Sequence, residues 1–272
     1  MKVHHLNCGN MRVHRTEEAT AVCHCLLVET GSGLVLVDSG IGTVDMAEPG
    51  RLGHMHHILR IARRKEDTAL FQVRNLGFSA GDVQDIVLTH LDSDHTGGIR
   101  DFPHARVHVS RSEFDAAVRP STFRERNRYS RAHLGPVKRW ETYDMVSPEA
   151  WYGFDCFRGL RGLPEDILLV RLPGHTRGHC GVAVREDGRW LLLAGDAYYH
   201  HRQMDSQPGC PLYLTILQQV AHMQFDLASQ TKNRLRDVVN TASDEVSVFC
   251  THDPVEFSRM HDSGHMGKAA PE

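Results

Sequence analysis

The run Thr89-His90-Leu91-Asp92-Ser93-Asp94-His95-Thr96-Gly97-Gly98 constrains this chain more than any other stretch. It sets His90, Asp92, Asp94 and His95, all potential metal ligands, directly after the apolar stretch Ile86 to Leu88. In an extended segment alternate side chains point the same way, so His90 and Asp92 can converge on one ion. Asp94 and His95 are adjacent and need a turn to face a common point, for which the following glycine pair is suited. Any one of these residues alone reads as part of a polar strand-to-helix loop with an Asp cap. The four together read as a metal site.

Further donors appear wherever an apolar run stops. Ile167 to Val170 leads into Leu172-Pro-Gly-His175-Thr-Arg-Gly-His179, Trp190 to Ala194 ends in Gly195-Asp196, and Val246 to Cys250 ends in Thr251-His252-Asp253. Rigid strands in layered α/β folds aim their terminal loops into one crevice, so this recurrence points to a shared site.

The set His90-x-Asp92-x-Asp94-His95, His175, Asp196 and His252 resembles the metallo-β-lactamase superfamily, from Asp38 in Val35-Leu-Val-Asp38-Ser-Gly through to His252. The resemblance implies an α/β (α+β) chain folded as a four-layer αββα sandwich, with a one- or two-metal site between the sheets. The segment before the first motif and the phrase Gly195-Asp196-Ala-Tyr-Tyr199 are most similar to the acyl-homoserine-lactonase branch. By that resemblance His90, Asp92 and His175 hold one ion, Asp94, His95 and His252 the other, and Asp196 bridges them. It assigns the metal to His175 rather than His179, which reads as a hydrogen-bonded structural residue. Asp38 reads as the acceptor of a ligand imidazole's free N–H, against the plainer reading of a turn cap.

Asp92 departs from the family pattern, which has His at that position. With two divalent ions, three carboxylates and a bridging hydroxide, the core becomes near neutral. An added carboxylate holds a hard cation more firmly but weakens its Lewis acidity, and oxygen ligation shifts preference toward iron or manganese while leaving zinc as the first expectation. On this reading Asp92→His keeps the metal, and raises activity if reduced Lewis acidity is what limits the rate.

The chemistry implied is hydrolysis of a small ester, lactone or related acyl substrate by a metal-bridging hydroxide. Asp94 would orient the hydroxide and shuttle its proton, and Tyr199 would donate to the oxyanion, a core-packed tyrosine being the alternative. Two other functions fit the same ligands: an iron-dependent redox protein, whose branch is similar in carrying an acidic residue at the position of Asp92, and a phosphodiesterase. A binding protein with an idle site is the third class.

Composition sets the remaining bounds. The 272 residues lack a Pro/Ser/Gly linker or a repeat, so residues 1–272 read as one domain, with a surface insertion at 119–140 and a pocket-flanking segment at 44–76. A net charge of −3 argues against a general nucleic-acid surface. The basic stretch Arg124 to Arg139 reads as a solvated, partly helical cover. Met46, Leu52, Met55 and Ile58 either wall an acyl pocket or anchor a helix, and anchoring is favoured. His54, His56 and His57 read as surface or lid residues, while His200, His201 and Arg202 are left as substrate contacts of open role. The expected partner is a small molecule, without nucleic acid or membrane; the oligomeric state is open, a homodimer included. Seven cysteines show no paired spacing, so Cys23 and Cys25 read as buried thiols on one face of a strand with His24 on the other. The opening Met1-Lys-Val-His-His-Leu-Asn lacks a signal-like apolar core, and a cytoplasmic setting is expected.

Periodicity predicts a hairpin of Val22 to Glu29 with Gly33 to Asp38, strands at Ile86 to Thr89 and Arg106 to Val109, and mixed helical spacing over Arg51 to Leu76. It predicts a helix over Ser112 to Val118, starting near Ser110 and stopping at Pro120. Strands follow at Ile167 to Leu172, Cys180 to Val184 and Arg189 to Ala194, then helices at Leu212 to Leu227 and Lys232 to Val239, then the strand ending at His252.

Overall fold

The computed structural model describes residues 1–12, 20–53, 60–144 and 149–266. The first sheet consists of β1 (Lys2–Arg12), β2 (Thr20–Thr30), β3 (Gly33–Val37), β4 (Arg60–Ile61), β5 (Val83–Val87), β6 (Arg106–Ser110) and β7 (Trp140–Tyr143), in the order β4-β1-β2-β3-β5-β6-β7. The second consists of β8 (Glu149–Trp151), β9 (Phe154–Phe157), β10 (Ile167–Arg171), β11 (Cys180–Glu186), β12 (Arg189–Leu193) and β13 (Val246–Phe249), in the order β13-β12-β11-β10-β9-β8. The helices are α1 (Thr43–Ala47), α2 (Ala69–Asn75), α3 (Ser93–Thr96), α4 (Arg111–Val118), α5 (Phe123–Arg128), α6 (Arg131–Leu134), α7 (Leu212–Ala221), α8 (Phe225–Thr241) and α9 (Pro254–Met266).

Alternation along the strands builds the layers. Leu26, Val28, Val35, Val37 and Val87 of the first sheet meet Ile167, Leu169, Val182, Val184 and Leu193 of the second in one buried layer. The opposite faces pack against helices: Leu27, Leu36 and Ile86 with Ala69 and Val73 of α2 on one side, Leu168, Val170 and Leu192 with Leu235 and Val238 of α8 on the other. Each fully buried aliphatic side chain contributes roughly 1.5–3 kcal/mol, and burial on both faces explains the near-continuous apolar runs of the central strands. The result is the expected αββα sandwich.

The β2–β3 hairpin closes with Thr30 opposite Gly33, and α4 starts at Ser110, whose hydroxyl accepts from the Glu113 N–H. Three expectations change. Among its described residues, the stretch of mixed helical spacing from Arg51 to Leu76 holds the end of a 3-10 turn at Pro49–Leu52, the short strand β4, a second turn at Lys65–Asp67 and α2, whose N-cap is Thr68. The strand expected at Ile86 to Thr89 is β5, which ends at Val87 and leaves Thr89 in the site loop. Periodicity also misses β1, because His4, His5, Asn7 and Asn10 break its apolar pattern. Met55, Ile58, His54, His56 and His57 lie outside the described residues. Among the described residues no helix is long and apolar enough to cross a membrane.

All seven cysteines are unpaired, with Cys23 and Cys25 on the helix-facing side of β2 as alternation requires. His24 faces the other way, its ring stacked on Phe249 at 4.8 Å and its Nε2 2.8 Å from His5 Nδ1. Burial, with smaller contributions from the charges of His261 and His4, lowers His5 to about 4. The neutral form is therefore the folded form, and as pH falls below about 6.5 the unfolded chain takes up a proton that the fold refuses until about pH 4. His5 alone should cost roughly 3 kcal/mol of stability across that window. Urea unfolding at pH 7 and 4.5 is expected to show this loss, and His5→Gln, which keeps a polar partner for His24, should reduce proton uptake on unfolding by close to one.

Candidate metal centre

Four strand ends supply the site. His90 and the Asp92–His95 turn follow β5, His175 follows β10, Asp196 follows β12 and His252 follows β13. The turn that brings Asp94 and His95 to a common point is α3 itself, and the glycines after it serve a different purpose from the one expected. Gly97 has an ordinary helical φ of −57°, but a Cβ there would lie 2.8 Å from the Gly42 nitrogen and 2.9 Å from the Gly40 oxygen. The pair is small so that α3 can press against residues 39–42. Gly195 does need its freedom: its φ is +57° and a Cβ would meet His179 Nε2 at 2.6 Å.

The predicted ligand atoms converge. His90, Asp92 and His175 form one group whose donor atoms lie within 4.8 Å of one another, and Asp94, His95 and His252 form a second. Asp196 lies between them, with Oδ1 3.2 Å from both His95 Nε2 and His252 Nε2, and Oδ2 3.4 Å from His175 Nε2. Each imidazole is tethered by its other nitrogen. His95 Nδ1 donates to Asp38 Oδ2 at 2.8 Å, His252 Nδ1 donates to the Val22 carbonyl at 2.8 Å, and His90 Nδ1 lies 3.0 Å from the Thr89 hydroxyl. Asp38 thus holds the His95 tautomer, and it also accepts from the Thr89 N–H and hydroxyl.

His90 Nε2, His95 Nε2 and Asp196 Oδ1 are buried and make no well-directed hydrogen bond, although each lies 3.2–3.3 Å from an oppositely charged or chargeable neighbour. Buried donors and acceptors whose mutual contacts are poorly directed, gathered around one point, fit a cation as their shared partner. Although burial raises it, the Asp196 carboxyl is held well below its usual range by His252, His95 and His175. Burial lowers His95, but Asp196 and Asp38 outweigh it and hold the imidazole well above its usual value.

Several contributors escaped the sequence reading. Arg128 is the most consequential. Its Nε donates to Asp92 Oδ1 at 2.6 Å, its Nη2 donates to Asp92 Oδ2 and lies 2.7 Å from His175 Nε2, and its Nη1 donates to the Ala221 carbonyl at 2.7 Å. The basic stretch is partly helical as expected, yet this one guanidinium turns inward and restores the positive charge that Asp92 removes. The near-neutral core inferred from the ligands alone is corrected accordingly. Asp92→His would also leave a buried guanidinium without its carboxylate, a defect worth roughly 3–5 kcal/mol, so a loss of stability is expected beside any gain in Lewis acidity. Asp92 occupies the N-cap position of α3 without making a cap bond.

His222 sits in the break between α7 and α8, where one long helix was expected, and its Nδ1 lies 3.1 Å from His175 Nδ1. Met223 and Gln224 N–H groups donate to the carbonyls of His175 and Gly174, fastening the ligand loop. On the other side, buried Glu113 accepts from the Leu91 N–H, the Thr176 hydroxyl and the Gly178 N–H, joining both ligand loops. His179 is structural: Nδ1 donates to the Leu172 carbonyl and Nε2 accepts from the Asp196 N–H at 3.0 Å.

A cavity of about 320 Å³ opens over the ligands. Its apolar wall comes from Tyr213, Leu214, Leu217, Val220 and Ala221 of α7 with Met11, Ala21, Pro254 and Val255. Met46 and Leu52 instead pack in the core, the anchoring role favoured for them, and no described residue of 44–76 lines the cavity. Tyr199 does line it, with its hydroxyl 3.5 Å from His175 Nδ1. Burial and the charge of Asp196 push that phenol well above its ordinary range, so it remains a proton donor. His200 and His201 line the rim; His201 donates from Nδ1 to Asp253, which also caps α9 by accepting from the Val255 and Glu256 N–H groups.

Comparison with known proteins places the chain in a family. The pattern of the metallo-beta-lactamase superfamily matches residues 20–238. A protein of Mycobacterium tuberculosis named as a probable metallo-hydrolase is 39% identical over 97% of this chain and 84% of its own length. The N-acyl homoserine lactonase AttM of Rhizobium radiobacter is 28% identical over 67% of this chain and 68% of its own. Among solved structures, an N-acyl homoserine lactone hydrolase with N-hexanoyl-L-homoserine at its catalytic metal centre aligns with a TM-score of 0.70 at 21% identity, covering 95% of each chain.

Glu113→Ala would strand three buried donors, and urea unfolding is expected to show a loss of roughly 3–5 kcal/mol. A loss under 1 kcal/mol would mean that the two loops are held together by something else.

Proposed function

This chain belongs to the metallo-beta-lactamase superfamily, and from that footing we propose that it is a metallo-hydrolase opening a small ester or lactone, with two zinc ions in the cytoplasm. The observation that carries the reading is Asp196, whose two oxygens face separate ligand groups at the floor of an apolar-walled cavity. In this reading His90, Asp92 and His175 hold one ion, Asp94, His95 and His252 the other, and Asp196 serves both. Ions bound there would supply Lewis acidity and a water acidic enough to attack a carbonyl near neutral pH. Zinc is supported by the imidazole-rich donor set and by a structural neighbour described as a dizinc lactonase. The seven unpaired thiols support a reducing compartment.

The protein's own groups divide the remaining work. Asp94, facing the cavity beside His252, orients the attacking water and carries its proton to the departing oxygen as the acyl C–O bond breaks. The Tyr199 hydroxyl donates to the oxygen on which charge develops. Asp38 and the Val22 carbonyl keep His95 and His252 turned with Nε2 inward. The wall of α7 shields the reacting bond from water and accepts the apolar part of the substrate.

Elemental analysis of protein purified without added ions, followed by a panel of lactones, aryl esters, phosphodiesters and thioesters, tests the proposal. Zinc with lactone or ester turnover is expected; oxygen-sensitive iron colour, or turnover of phosphodiesters alone, would overturn it. Asp196→Ala should lose metal and activity together, since one carboxylate serves both positions. Tyr199→Phe should lower kcat by roughly a hundredfold with little change in KM, as for loss of one oxyanion donor.

A further inference from the structure

Arg128 makes the two ligand groups chemically unequal. We propose that its guanidinium acts as a resident counter-cation at the His90–Asp92–His175 position, so that the Asp94–His95–His252 position fills first and tightly while the other fills weakly. This inference rests on the metal-site reading above and deepens it.

Two of the three donors on the Arg128 side, Asp92 and His175, are already engaged. Nε and Nη2 take one Asp92 oxygen each, and Nη2 also lies 2.7 Å from His175 Nε2, the same lone pair that a metal would use. A single imidazole lone pair cannot serve an N–H and a metal together, so an ion entering there must displace the guanidinium from His175 and share Asp92 with it. The charge cannot be removed by titration, because guanidinium stays protonated throughout the working pH range. Nor is the side chain idle in solvent: Nη1 is held by the Ala221 carbonyl near the end of α7, and the side chain is only 14% exposed.

The other group presents the opposite situation. His95 and His252 spend Nδ1 on Asp38 and the Val22 carbonyl, and both Nε2 atoms face Asp196. Buried Asp38 adds negative charge behind His95. A divalent ion at that position therefore meets carboxylates in front and behind, whereas at the first position the charge of Asp92 is already offset by the fixed positive charge of Arg128.

The test is a calorimetric titration of chelator-treated wild-type, Arg128→Gln and Arg128→Lys protein with zinc, with bound metal counted by elemental analysis. Wild type should take one ion at least tenfold more tightly than the second. Arg128→Gln, which removes the charge but can still hydrogen-bond Asp92, should tighten the weak site at least tenfold and move the tight one less than threefold. Arg128→Lys keeps the charge and should keep the gap, which separates the charge effect from any general loosening of the fold. Two equal sites in wild type, or a weak site that is unchanged or weaker in Arg128→Gln, would overturn the inference while leaving the metal-site reading intact. Failure of wild type to take up any ion would overturn both.

Discussion

A carboxylate buried among imidazoles, as Asp196 is among His95, His175 and His252, is the constraint from which the rest of the structure follows. Ionisable groups removed from water are tolerable only when paired, and truncating one partner leaves the others exposed to the full desolvation cost. Here the pairing extends outward in steps. Asp196 faces the imidazoles, Asp38 and the Val22 carbonyl hold two of them by their far nitrogens, and Arg128 neutralises Asp92 at the edge. Removing any layer strands the next, so the site and the fold around it are one electrostatic unit.

Geometry makes that unit attainable. Strands β5, β10 and β12 are buried along most of their length and β13 pairs beside β12 at the sheet edge, and their ends deliver donors from positions separated by as many as 162 residues to one point. Loops alone would not hold that arrangement. Glu113 ties the loops after β5 and β10 together, while the break between α7 and α8 turns its free N–H groups onto the carbonyls of Gly174 and His175. The same break places His222 against His175 and aligns the apolar face of α7 over the site. Helix termination, ligand orientation and cavity wall are thus consequences of one local event.

The convergent His and Asp donors were legible because their information is local: an apolar strand, a stop, then a donor, repeated down the chain. The αββα layering was legible for a related reason, since strands buried on both faces read as apolar runs. What escaped depends on contacts between distant segments. Nothing around Arg128 distinguishes it from Arg124 and Arg126, and its partner Asp92 is 36 residues away. Glu113 stands where a capping residue is expected, yet its carboxylate bonds Leu91 and Gly178 instead. The helix break at His222 has no proline or glycine to announce it; tertiary hydrogen bonds to the loop of His175 replace those of the helix. Strand β1 is hidden because its polar side chains find partners such as Asp67 and His24 only in the folded chain.

The central claim, that Asp196 joins two metal positions in one site, is tested most directly by anomalous diffraction from crystals grown with excess zinc and measured on both sides of the zinc edge. The account predicts two peaks about 3.5–4 Å apart, one on each side of the Asp196 carboxylate. Peaks confined to His200, His201 and Asp253, or none near Asp196, would contradict it.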